Sequence, residues 1–168
     1  MRRIKRIMVA CDLSEYAVNS LRYAFELVEN LKASLVIVNV INQRDLIAVK
    51  EAVNRIGVVK QSFSFSMDKY LENLREERSR LIQKLIEEIS IEDVRIKKVI
   101  KYGVPFQKLI EAIKEENADI LVMGEKGRGN IAGVLFGSTA EKMFHHCPIP
   151  LLSIREKKAH RRRQHLMG

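Results

Sequence analysis

Short apolar runs rich in β-branched residues alternate along the chain with longer segments whose apolar positions recur every three and four residues. That is the pattern of βαβ units stacked into a parallel sheet, since parallel strands need a crossover long enough to hold a helix. The runs predict strands at Ile4–Ala10, Ser34–Val40, Val94–Lys101, Asp119–Gly124 and Ile149–Ile154. "SLVIVNV" and "DILVM" are apolar without alternation, as strands buried on both faces are, and belong at the sheet centre. "VRIKKVIK" carries charge on half its positions and breaks alternation at Lys97–Lys98, which suits an outer strand with a bulge.

The helical stripes are longer. Glu15–Leu31 repeats apolar residues at Ala17, Val18, Leu21, Ala24, Phe25, Val28 and Leu31, with Ser14 placed to cap it. Met67–Ile89 keeps the stripe through Leu71, Leu74, Leu81, Ile82, Leu85 and Ile89. Pro105 opens a helix reaching about Glu116, and Thr139–His146 gives a last one, stopped by Pro148. Between Ile41 and Phe65, "DLIAVKEAVNRI" fits a helix but "GVVKQSFSF" has no period, so the region reads as an insertion that could serve as a lid. No repeat or low-complexity linker divides the 168 residues, and one domain is expected.

Composition narrows the setting. Hydrophobic residues make up 46% of the chain, enough for a real core, yet no apolar run approaches the about 20 residues of a membrane span. Asp12 cuts short the apolar stretch after "RRIKR", so a signal peptide is not expected and the protein is expected in the cytoplasm. Cys11 and Cys147 have neither disulfide-framework nor zinc spacing. The net charge of +9 resides in the chain's ends: Arg2, Arg3, Lys5 and Arg6 at one, and the segment from Arg155 at the other. Residues 7–154 sum to zero, which argues against a nucleic-acid-binding face on folded elements.

The chemistry concentrates in "GEKGRGNIAGVLFGST", which holds five of the eight glycines at Gly124, Gly127, Gly129, Gly133 and Gly137. It follows a central strand, at the end where open α/β sheets hold ligands. Glycines there let backbone N–H groups approach an anion, and Gly137-Ser138-Thr139 then opens a helix whose N-terminus favours phosphate. Taken alone, "GEKGRG" is also what an ordinary βα turn looks like, with Ser138 as a cap. It is neither a GxxxxGK[ST] loop nor GxGxxG.

The joint spacing G-x2-G-x9-G-S, followed by "GSTAEKMFHHCPIPLLSIR", resembles the ATP-binding branch of the universal stress protein family. "MVACDLSEYAVNSLRYAFELVENLKASLVIVNVI" looks like that family's first βαβ unit and "GVPFQKLIEAIKEENADILVMGEKGRG" like its central segment. The resemblance implies a Rossmann-like, five-stranded parallel sheet in the order 3-2-1-4-5 with helices on both faces, over residues 1–155. A variable insertion would span about 41–65 and a basic tail 156–168. It further implies a nucleotide across the ends of the first and fourth strands, ATP or another adenine nucleotide with Mg²⁺. Ala10, Cys11 and Asp12 would lie at the ribose and phosphates, with Val40 and Met123 at the base. Gly124, Gly127, Gly137, Ser138 and Thr139 would form the phosphate loop. The last strand, Ile149–Ile154, would pair two copies into a homodimer.

Other chemistry is weaker. Asp12 suits a ligand or the cap of the following helix, and Cys11 a redox thiol or a small buried residue. His145, His146 and Cys147 occupy adjacent helical positions that point apart, which is awkward for one metal ion. Near the loop, Lys126 and Arg128 can hold a phosphate, but Asp12 and Glu125 are the only carboxylates to orient a water, so hydrolysis is expected to be very slow or absent. Two functions remain: a nucleotide-dependent regulatory module of the stress response, or a dimeric interaction protein without nucleotide whose basic tail recruits anionic partners.

Overall fold

The computed structural model describes residues 3–55, 66–89, 94–127 and 137–155. Its elements run β1 (Arg6–Ala10), α1 (Glu15–Leu31), β2 (Ser34–Asn42), α2 (Gln43–Arg55), α3 (Met67–Ile89), β3 (Ile96–Gly103), α4 (Pro105–Glu115), β4 (Ile120–Gly124), α5 (Ser138–His146) and β5 (Leu151–Ile154). The five strands form one sheet in the order β3-β2-β1-β4-β5, every pair parallel.

That order follows from the handedness of crossovers. The connections from β1 to β2 and on to β3 travel one way, and those from β3 to β4 to β5 travel back. Right-handed crossovers therefore put α1 and α3 on one face and α4 and α5 on the other. Each face has its own core. Ile7, Val9, Leu35 and Ile37 pack against Leu21, Phe25 and Val28 of α1 and Ile82 of α3. Met8, Val36, Val38 and Leu121 pack against Leu109 and Ile113 of α4 and Met143 of α5. β1, flanked on both sides, is buried through Ile7, Met8 and Val9.

β3 is an outer strand, as its charges implied, but its register with β2 runs unbroken from Leu35↔Ile96 to Asn42↔Gly103 and contains no bulge. The lysines explain the interrupted alternation. Lys97 Nζ donates to both carboxylate oxygens of Glu116 at 2.8 Å and Lys101 Nζ to Glu115 at 2.7 Å, while Lys98 Nζ reaches Gln83 on α3 at 3.0 Å. The strand thus carries lysine on both faces, each tied to the helix above it.

Local signals set most element ends. Ser14 Oγ accepts the Ala17 N–H at 3.3 Å as the α1 cap, and Pro105 takes the first position of α4. α5 begins one residue earlier than its sequence implies: Gly137 is the N-cap, so Ser138 is its first helical residue and not its cap. β2 runs straight into α2, where Asn42 Oδ1 accepts the Arg44 N–H at 3.1 Å. The helix foreseen in the insertion is therefore present. Residues 56–65 and the basic tail 156–168 lie outside the described residues.

Candidate nucleotide cleft

β1 has β2 on one side and β4 on the other, and the two connections that leave it and β4 diverge to opposite faces. A crevice opens at such a switch point, over the carboxyl ends of the strands. Here it is a cleft of about 730 Å³. The ten residues for which the resemblance implies nucleotide contacts all line it, while Arg128, Gly129 and Gly133 lie outside the described residues. Ala10, Cys11 and Asp12 form one wall as β1 turns toward α1, and Val40 comes from the end of β2. Met123 and Gly124 close β4, Gly127 follows, and Gly137, Ser138 and Thr139 bring in the first turn of α5.

The β1–α1 turn is tightly constrained. Cys11 N–H donates to Val38 O at 2.9 Å, Leu13 adopts a left-handed φ of 65°, and Asp12 Oδ1 accepts both Ser14 N–H at 3.1 Å and Ser14 Oγ–H at 2.6 Å. Asp12 thus supports the start of α1 and faces the cleft at once, so cap and lining are not exclusive. On the opposite wall, Glu125 N–H donates to Ile154 O at 3.1 Å and Glu125 O accepts the Gly137 N–H at 2.9 Å. The Glu125 carboxylate meets Arg155 at 2.7 Å. Both ends of the glycine-rich segment are therefore rooted beside the end of β5.

Two glycines differ in what demands them. A Cβ on Gly127 would collide with Asp12 Oδ2, so any side chain there must displace that carboxylate from the cleft wall. Gly137 has an ordinary backbone, φ −70° and ψ 149°, and a Cβ on it would approach no atom beyond its chain neighbours closer than 3.7 Å. The described residues give no steric reason for glycine at that helix start. A ligand approaching the N-terminal N–H groups of α5, which the helix itself leaves unused, would.

Cys11 is 1% exposed. Burial pushes its thiol up to about 11, against a downward pull from the Leu13 backbone and with a further rise from the Asp12 charge. It is a small buried residue and not an activated nucleophile. Because folding opposes its ionisation, it lowers stability as pH rises from about 9 toward about 11, and not below. Iodoacetamide at pH 8 should accordingly modify Cys11 at least about tenfold more slowly than a free thiol, since the thiol is shielded and its thiolate disfavoured. Peptide mass spectrometry would follow it; modification at the free-thiol rate would contradict this environment.

The sequence missed part of the lining. Asn42 and Asp45 come from the β2–α2 junction, Pro105 and Leu109 from α4, and Glu141 from the first turn of α5. The proline at a helix start directly after a strand, and the Asn-x-x-Asp at the head of α2, were the available signals. Among the described residues the lining charges are Lys126 against Asp12, Asp45 and Glu141. Among the described residues, no three His, Cys, Asp or Glu side chains group to hold a metal ion. A Mg²⁺ here would be carried by phosphate oxygens and water with at most a carboxylate or two, as that ion commonly is. His145 and His146 lie at the far end of α5, packed as rings, His146 edge-on to Phe106 at 5.9 Å.

A doubly wound parallel sheet with one ligand-sized cleft at its switch point defines an open α/β protein of the Rossmann-like class. A sequence model described as "Universal stress protein family" matches residues 3–155, and the chain belongs to that family. A universal stress protein of Methanocaldococcus jannaschii is 24% identical over 161 residues, covering 92% of this chain and 97% of that one. In structure, the universal stress protein UspA from Lactobacillus plantarum superposes with a TM-score of 0.71 at 18% identity, covering 92% of this chain and all of that one. The universal stress protein from Archaeoglobus fulgidus, solved in complex with dAMP, gives 0.58 at 16% identity, again over 92% of this chain and all of that one.

Proposed function

We propose that this protein binds an adenine nucleotide in the cleft, ATP with Mg²⁺, and works as a nucleotide-dependent regulatory module of the stress response. The observation that carries the reading is Gly137, a glycine for which the described residues give no steric reason, at a helix N-terminus that opens onto the cleft. Ala10, Cys11 and Asp12 would meet ribose and phosphates, Val40 and Met123 the base. Gly124, Gly127, Ser138 and Thr139 would line the phosphates with Gly137. A related protein's complex with dAMP supports the ligand class.

Calorimetric titration with ATP and Mg²⁺ should saturate near the micromolar range, about −8 kcal/mol. No saturation by about 1 mM would leave the interaction-protein reading in its place. Phosphate release should stay far below about 10 per second, because amides that hold ground and transition states alike tighten binding without raising turnover.

β5 favours a homodimer in either case. It is an outer strand, paired with β4 among the described residues, and Leu152 on it is 38% exposed. An outer strand with an open edge invites a twofold mate. Sedimentation at tens of micromolar should report a dimer; a monomer would remove this strand as an interface.

A further inference from the structure

We infer that Asn39 is a positioning residue for the cleft: its buried carboxamide holds the Cys11–Ser14 turn that carries Asp12. Asn39 is 1% exposed on β2 and is not part of the cleft wall, which takes its neighbours Val38 and Val40. Successive strand residues point to opposite faces, so Asn39 lies on the α1 side. Its Nδ2 donates to Cys11 O at 2.7 Å, while Cys11 N–H donates to Val38 O at 2.9 Å. Two consecutive residues of β2 thus grip both backbone groups of Cys11, one position beyond the last β1–β2 pair, Ala10↔Val38.

The grip has a direct consequence for Asp12. The Cys11 carbonyl and the Asp12 N–H belong to one planar trans peptide and point in opposite directions. Holding the carbonyl against Asn39 directs the Asp12 N–H away from Asn39. The same peptide sets where the Asp12 side chain begins, and that carboxylate is already bonded to Ser14 at the start of α1 and packed against Gly127. A rotation of this peptide would be felt on both walls of the cleft.

The other half of the amide shows that this arrangement is not simply good packing. Asn39 Oδ1 is buried and has no hydrogen-bonding partner among the described residues. An orphaned buried acceptor is costly, and a leucine of similar size would avoid it. The polar side chain stands where its donating half restrains the turn.

Asn39→Leu separates positioning from stability. It exchanges one orphaned acceptor, Asn39 Oδ1, for another, Cys11 O, and adds apolar contact, so the melting temperature should stay close to that of the unaltered protein. Two readouts should move instead. Affinity for Mg²⁺-ATP should fall at least about tenfold by calorimetry, and iodoacetamide should modify Cys11 in the nucleotide-free protein at least about tenfold faster, through local opening of the turn. The first readout rests on the nucleotide reading and the second does not. If the unaltered protein fails to bind ATP, that reading falls and the Cys11 rate alone decides. An unchanged Cys11 rate overturns the inference, as does ATP affinity within about twofold when the unaltered protein binds. A variant that melts far lower, or fails to fold, makes Asn39 an ordinary core residue and overturns it too.

Discussion

Gly127→Val should weaken Mg²⁺-ATP binding at least about 100-fold, or about 2.7 kcal/mol. The first atom of any side chain at this position runs into Asp12 Oδ2, and moving that carboxylate disturbs the two hydrogen bonds its other oxygen accepts from Ser14. Valine adds two methyl groups to that collision, so the loop, the β1–α1 turn or both must shift, and each is a wall of the cleft. Gly137→Ala is the companion variant. Among the described residues it meets nothing closer than 3.7 Å beyond its chain neighbours and it needs no unusual φ, so its melting temperature should change little, while its affinity should fall because a methyl group stands where the ligand approaches the helix start. Calorimetry on both variants, with melting curves, gives the comparison. Binding unchanged in Gly127→Val would remove the glycine-rich loop from the site. Binding unchanged in Gly137→Ala would withdraw the observation on which the nucleotide reading chiefly rests.

Phe25→Ala should cost about 3–5 kcal/mol, the range for deleting a buried aromatic ring. Phe25 is 1% exposed and packs in the core between α1 and the sheet, with Leu21 and Val28 on its own helix and Ile82 of α3 in the same cluster. Little space is open for these neighbours to close the gap, because α1 is anchored at Ser14 and the sheet beneath it is continuous. Set against the about 5–15 kcal/mol typical of a domain, the loss would take about a fifth or more of the stability. In a chain of this length it would lower the melting temperature by roughly 6–20 °C. Phe144, on α5, is 68% exposed, and its replacement by alanine should be nearly neutral. Urea unfolding measures both. A loss below about 1 kcal/mol at Phe25 would mean that α1 does not pack on the sheet as described.

What the sequence determined by itself was whatever local periodicity and turn chemistry control. The alternation of apolar runs and helical stripes yielded the α/β class and helices that match at Glu15–Leu31 and Met67–Ile89. Ser14 and Pro105 marked helix starts because capping and the fixed φ of proline act within one turn of chain. The strand order and the site residues came from the spacing of Gly124, Gly127, Gly137 and Ser138 with its family resemblance, not from periodicity. The tertiary structure decided what depends on residues distant in the chain. The broken alternation at Lys97–Lys98 suggested a bulge, yet the register is unbroken, because each lysine answers to a different helix packed on the strand. The same holds for the cleft's far wall. Asn42, Asp45, Pro105 and Leu109 reach it only because β2 lies beside β1 and α4 packs across the sheet. Asn39 is the plainest case: in sequence it is one polar residue in an apolar strand, and only the parallel pairing of β2 with β1 brings its amide to the Cys11 carbonyl, 28 residues earlier in the chain.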